Sequence, residues 1–110
     1  MSTLQEYEMA ISKVEKLKKL MTRMRQVAKK YNVPLGTYYN LMKSQEHKCA
    51  LCTKHRDEFD KDFAVDHCHT TGKIRGLLCQ ECNLGLGKFK DDTIVMDKAI
   101  SYLNAAKETK

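Results

Sequence analysis

The chain has 110 residues, of which 42% are hydrophobic and 31% charged, with a formal net charge of +6, five cysteines and no tryptophan. That length allows one domain with a modest core and excludes a large one, while the mix of apolar and charged residues excludes wholesale disorder. The basic balance suits a polyanionic partner, nucleic acid first, although it equally suits a plain solvated surface; the absence of any long apolar run excludes a membrane-spanning helix.

The opening stretch MSTLQEYEMA has no basic segment followed by an apolar one, so no secretory leader is expected and the chain is read as intracellular. In that compartment thiols stay reduced, and paired cysteines point to a metal before a disulfide.

The first predicted element is a long helix over about residues 5–31, free of glycine and proline. Tyr7, Ala10, Val14, Leu17, Met21, Met24, Ala28 and Tyr31 recur at alternating spacings of three and four, and Ile11, Leu20 and Val27 widen the stripe. Lysines and arginines fill most of the remaining positions, and Asn32 and Pro34 stop the helix. Such a seam either packs on the protein's own domain or pairs with its copy in a homodimer. The chain therefore divides into residues 1–33, a basic amphipathic helix and candidate dimerisation element, and residues 34–110.

A short helix is expected over about residues 37–45, with Thr37 as its N-cap and Tyr38, Leu41 and Met42 on its apolar side. A strand is expected at Phe63-Ala64-Val65 and a turn at Thr71-Gly72, with the returning strand running from Lys73 to Leu78. A short helix is expected to begin at Asn83, and a closing amphipathic helix to run over about residues 93–107 behind Asp91 and Asp92.

Four of the five cysteines form two Cys-x-x-Cys pairs, Cys49/Cys52 in CALC and Cys79/Cys82 in CQEC. Each pair can chelate from a tight turn, and four thiolates complete the tetrahedral shell of a structural Zn²⁺, which leaves no open position for water. His55 is a weaker substitute ligand, and Cys68 reads as a small packed residue.

Zinc leaves Asp66, His67, His69 and Asn83 unexplained. Asp66 and Asn83 offer oxygen donors that suit Mg²⁺ or Mn²⁺ rather than zinc, and histidine, here His67, is the residue type that suits a general base near neutral pH. Such parts can hydrolyse a phosphodiester, with a base activating water on one side of phosphorus and a hard cation stabilising the leaving oxygen on the other. Plainer roles are a hydrogen-bonded brace for His67, a turn cap for Asp66 and a helix cap for Asn83.

The ordered series CALC, VDHCH, TGKIRGLLC, CQECN and LGLGKFKDD, with the lead-in KKYNVPLGTYYNLMKSQEHKC, resembles the phage recombination endonuclease VII family, a branch of the His-Me finger (ββα-metal, HNH-like) nucleases. The similarity covers about residues 29–105. It implies an α+β fold, a small zinc-stapled hairpin-plus-helix finger carrying a long N-terminal and a C-terminal helix. It also implies His67 as general base, Asp66 and Asn83 as ligands of the catalytic Mg²⁺, and Cys49, Cys52, Cys79 and Cys82 as ligands of structural zinc. His69 matches a second motif histidine at the scissile phosphate. Arg75 falls at the family's arginine and is a candidate phosphate clamp, with Lys73 a weaker one. Two departures stand out: Cys68 occupies an often acidic position, and Leu86 stands where the founding resolvase has a glutamate.

The expected activity is divalent-metal-dependent cleavage of DNA, with branched DNA such as a Holliday junction as substrate and a phage-infected cell's cytoplasm as setting. The rival readings are a less selective HNH-type nicking enzyme, a zinc-knuckle module that binds nucleic acid without cutting it, and an assembly protein built on the long helix.

Overall fold

A computed structural model describes residues 3–108. The elements are α1 (Leu4–Lys30), α2 (Leu35–Ser44), a single 3-10 turn (Arg56–Glu58), β1 (Ala64–His67), β2 (Ile74–Leu78), α3 (Gln80–Lys88) and α4 (Thr93–Glu108). The two strands pair antiparallel, so the fold is α+β as the sequence implies.

Helix α1 starts at a capping box. Thr3 accepts from the Glu6 amide and Glu6 accepts from the Thr3 amide, both at 3.2 Å, which satisfies two otherwise orphaned donors. It stops where Asn32 turns left-handed, at φ 54°, and Val33 N–H bonds back to the Ala28 carbonyl at 2.9 Å. Only part of the heptad seam is used within the chain. Met24, Val27 and Ala28 are buried in the chain's own core, with Leu20, Met21 and Tyr31 packed beside them. The N-terminal portion is bare: Tyr7, Ile11, Val14 and Leu17 are each at least half exposed.

Helix α2 begins two residues before the expected start. Pro34 is its N-cap, in extended conformation, and its carbonyl accepts from the Tyr38 amide at 3.1 Å. Thr37 therefore sits inside the first turn and caps nothing. Proline is preset for a helix start and needs no side-chain oxygen there.

The core forms where α1, α2 and the hairpin meet. Tyr38, Phe63, Leu77 and Cys49 are almost completely enclosed, and Phe59 packs edge-on against Phe63 with centroids 5.7 Å apart. Gln45, the residue that ends α2, ties this assembly to the hairpin. Its Nε2 donates to the Leu77 and Lys48 carbonyls, each at 2.9 Å, while its Oε1 accepts from the Leu77 amide at 2.8 Å. Gly76 makes room for this contact, because a Cβ there would lie 3.1 Å from Gln45 Oε1. Gln45→Ala leaves part-buried backbone groups of Leu77 without that partner, and the expected loss is about 2 kcal/mol by denaturant titration.

Asp92 caps α4 by accepting from the Ile94 and Val95 amides at 3.0 and 3.2 Å. Of the apolar side predicted for this helix, Met96 and Ala99 are half-buried, while Val95, Ile100 and Leu103 are exposed. With α1 projecting at one end and α4 lightly packed, the radius of gyration is 19.0 Å. A compact domain of this length would have about 13 Å.

Candidate active site and metal centre

Two turns bring the four paired cysteines together. The first is closed by Cys49 N–H to the Lys54 carbonyl and Thr53 N–H to the Cys49 carbonyl, both at 3.0 Å, with Thr53 left-handed at φ 62°. It is fastened to β2 by Ala50 N–H to the Leu77 carbonyl at 3.1 Å. The second turn is the start of α3 itself. Cys79 is the N-cap and its sulfur accepts from the Cys82 amide at 3.5 Å. The helix thus begins at Gln80, earlier than the expected start at Asn83, because the knuckle supplies the cap.

The four Sγ atoms lie within 4.8 Å of one another, and Cys52 and Cys79 Sγ are 3.9 Å apart. A tetrahedron with metal–sulfur bonds of about 2.3 Å has edges of about 3.8 Å, so the set is sized for a four-thiolate ion. The Cys79 amide also points at Cys49 Sγ, at 3.4 Å. Burial works against a thiolate at Cys49, but the amides of Cys79, Cys52 and Leu51 outweigh it and lower its pKa to about 6. At Cys82, burial and the neighbouring sulfurs push the pKa up to about 12, and burial also raises that of Cys79. One thiol ionises readily and its neighbours then resist, which is how clustered thiols behave until a cation joins them. His55 and Cys68 lie outside the cluster. His55 Nδ1 instead accepts from the Asp57 amide at 3.1 Å and its ring stacks on His47.

The hairpin presents the remaining candidates. Its register pairs Asp66 with Gly76 and His67 with Ile74, so Arg75 is skipped as a bulge residue. The tip closes through Gly72, left-handed at φ 74°, whose amide bonds the Cys68 carbonyl at 2.8 Å. Lys73 lies in this tip, exposed, with its amide bonded to Thr71 Oγ1 at 3.2 Å. The Thr71 hydroxyl also draws the Cys68 thiol below its usual pKa.

A groove of about 410 Å³ is lined by Asp66, His67, His69 and Asn83, together with Val65, Leu84, Gly87 and Lys88. The hairpin contributes the first three and α3 the asparagine. Asn83 occupies the fourth position of α3, where its own amide bonds the Cys79 carbonyl at 3.0 Å, and it does not cap the helix. The His67 imidazole is half-buried and makes no hydrogen bond or ion pair with another described residue. Its nitrogens are thus open to a ligand.

Asp66 is buried at 8% exposure and is clasped by Arg75, Nε to Oδ2 at 2.7 Å and Nη2 to Oδ1 at 3.0 Å. That hydrogen bond, foremost, raises the pKa of Arg75 and keeps it charged. Each carboxylate oxygen retains a lone pair beyond these bonds, so Asp66 with the Asn83 amide oxygen still suits a hard cation. Lys73 lies outside this groove and outside the neighbouring hollow of about 550 Å³, which Cys68, His69, Arg75 and Asp91 help to line. Asp91, read from sequence only as part of a helix cap, reaches Arg75 Nη2 at 3.3 Å and His69 Nε2 at 3.6 Å. No local pattern announces that role, because it depends on where the turn after α3 lands.

Among known proteins, the chain is similar to two phage proteins, each called Gene 59 protein, from Mycobacterium phages D29 and L5. Both are 35% identical over 74 residues, a span that covers 66% of this chain and 44% of theirs, so the chain accounts for less than half the length of these curated relatives. No solved structure matches it. The model of the family described as recombination endonuclease VII matches residues 24–105, a stretch holding both cysteine knuckles, the hairpin and the groove. On that match the chain belongs to the recombination endonuclease VII family.

Proposed function

We propose that the protein is a DNA endonuclease of the His-Me finger type that hydrolyses phosphodiesters with a divalent cation. The observation that carries this reading is the single groove lined by Asp66, His67, His69 and Asn83. His67, unengaged by its neighbours, takes the proton from the attacking water at a free ring nitrogen. Asp66 and Asn83 hold Mg²⁺ or Mn²⁺. When bound, that cation supplies positive charge where the departing oxygen becomes negative. His69 faces the phosphate from the hairpin, and Arg75 holds the Asp66 carboxylate in place through two hydrogen bonds. Cys49, Cys52, Cys79 and Cys82 hold a structural Zn²⁺ that fixes hairpin against helix and takes no part in the chemistry.

Family membership supports branched DNA, such as a four-way junction, as the substrate. The bare apolar residues at the start of α1 support a homodimer in which two such grooves act as a symmetric pair. The phage origin of the relatives supports action inside a host cell.

The test compares supercoiled plasmid with a four-way junction, each with Mg²⁺ and with EDTA, beside a His67→Ala variant. Cleavage that needs the cation and favours the junction is expected. Equal cutting of linear and branched DNA would leave only a nicking enzyme, and binding without cutting would leave a zinc-knuckle module. Junction affinity should also fall steeply from low to moderate salt, as phosphate contacts require.

A further inference from the structure

We infer that Asp91 is a positioning residue of this active site: its carboxylate, fixed by Arg75, holds the imidazole of His69. The inference rests on the reading of the groove as the place of cleavage. The geometry forms a continuous chain. Asp66 is buried in the hairpin and clasps Arg75 through both of its oxygens, at 2.7 and 3.0 Å. The same guanidinium reaches Asp91 Oδ2 at 3.3 Å, and that oxygen lies 3.6 Å from His69 Nε2. The His69 side chain is 79% exposed and pairs with no other described residue, so Asp91 supplies the restraint that burial does not.

The backbone points the same way. Lys90 and Asp91 are consecutive residues in the left-handed region, at φ 55° and 56°, and neither is glycine. They close α3 as a helix C-cap, with Lys90 N–H bonded to the Gly87 carbonyl at 3.0 Å. Helix capping does not explain a carboxylate at position 91, because Asp92 already caps α4. The turn is itself held by Asp91 N–H to the Leu86 carbonyl at 3.1 Å, which sets the carboxylate beside the hairpin. Nε2 is the ring nitrogen that faces Asp91, at an ion-pair distance of 3.6 Å, which leaves Nδ1 for the groove that His69 lines.

Asp91→Asn keeps the size and the tolerance of a left-handed backbone while removing the charge. With Mg²⁺ and a four-way junction, single-turnover cleavage should slow about 10- to 100-fold, the usual cost of losing a residue that orients an active group. Junction affinity measured in EDTA should stay within about twofold, and melting should be unchanged. The double variant His69→Ala/Asp91→Asn should be no slower than His69→Ala alone, because the carboxylate has no further work once the imidazole is gone. Three results would overturn the inference: wild-type rate for Asp91→Asn, wild-type rate for His69→Ala, or a double variant slowed by the product of the two single effects. His67→Ala in the same experiment separates the two levels. If it still cleaves, the groove reading falls and this inference with it. If it is inactive while Asp91→Asn cleaves normally, only the role of Asp91 falls.

Discussion

His67→Ala is expected to lower single-turnover cleavage about 10²- to 10⁴-fold, the usual contribution of a positioned general base, while leaving the melting temperature within a few degrees of wild type. Both halves of this expectation come from the surroundings of the residue. The imidazole lines the groove with Asp66 and Asn83, and among described residues it has no polar partner to lose. It is half-buried at the end of β1, outside the cluster that includes Val65, Leu77 and Phe63, so truncation opens no cavity there. His67→Gln, which keeps a polar group of similar reach without a comparable base, should be equally inactive. A variant that loses activity and thermal stability together would show that the imidazole braces the hairpin instead.

Cys79→Ser should produce the opposite pattern, with folding lost first and activity following. Cys79 sits at 2% exposure, caps α3, meets Cys52 across 3.9 Å and belongs to the hydrophobic core. Structural zinc in small domains contributes about 10–16 kcal/mol of apparent binding free energy at neutral pH. If replacing one of four thiolates forfeits only about 4 kcal/mol of that, the melting temperature of a domain this size drops by about 15–30 °C. Circular dichroism with and without a strong chelator checks the idea, and wild type treated with chelator should resemble the variant. Loading the metal should release protons, because the thiols of Cys79 and Cys82 hold theirs more tightly than an isolated cysteine does. A fold indifferent to both chelator and substitution would remove zinc from the account.

Much of this arrangement is legible in the residues themselves. Spacings of two between cysteines, apolar recurrence at three and four, and Thr-Gly between two apolar runs are local signals, and they place the knuckles, α1 and the hairpin correctly. Helix starts are less legible where the cap is unusual. Pro34 begins α2 with no side-chain oxygen, and Cys79 begins α3 with a sulfur, so both helices start ahead of Thr37 and Asn83. The division of the α1 seam is hidden because burial depends on what folds against each turn, and only the turns from Leu20 onward meet α2 and the hairpin. Least legible of all is the chain from Asp66 through Arg75 and Asp91 to His69. It spans three separate segments and is assembled by a skipped residue in a strand and a left-handed turn, neither of which has a signature in the sequence.

The skipped position at Arg75 constrains how this hairpin can change over time. Deleting that one residue would restore regular alternation but take away the arginine that clasps Asp66, so shortening by a single codon there should be lethal to activity. Gains and losses of length among related genes should therefore gather at the Thr70–Lys73 tip, where the chain is exposed and the pairing on either side stays untouched.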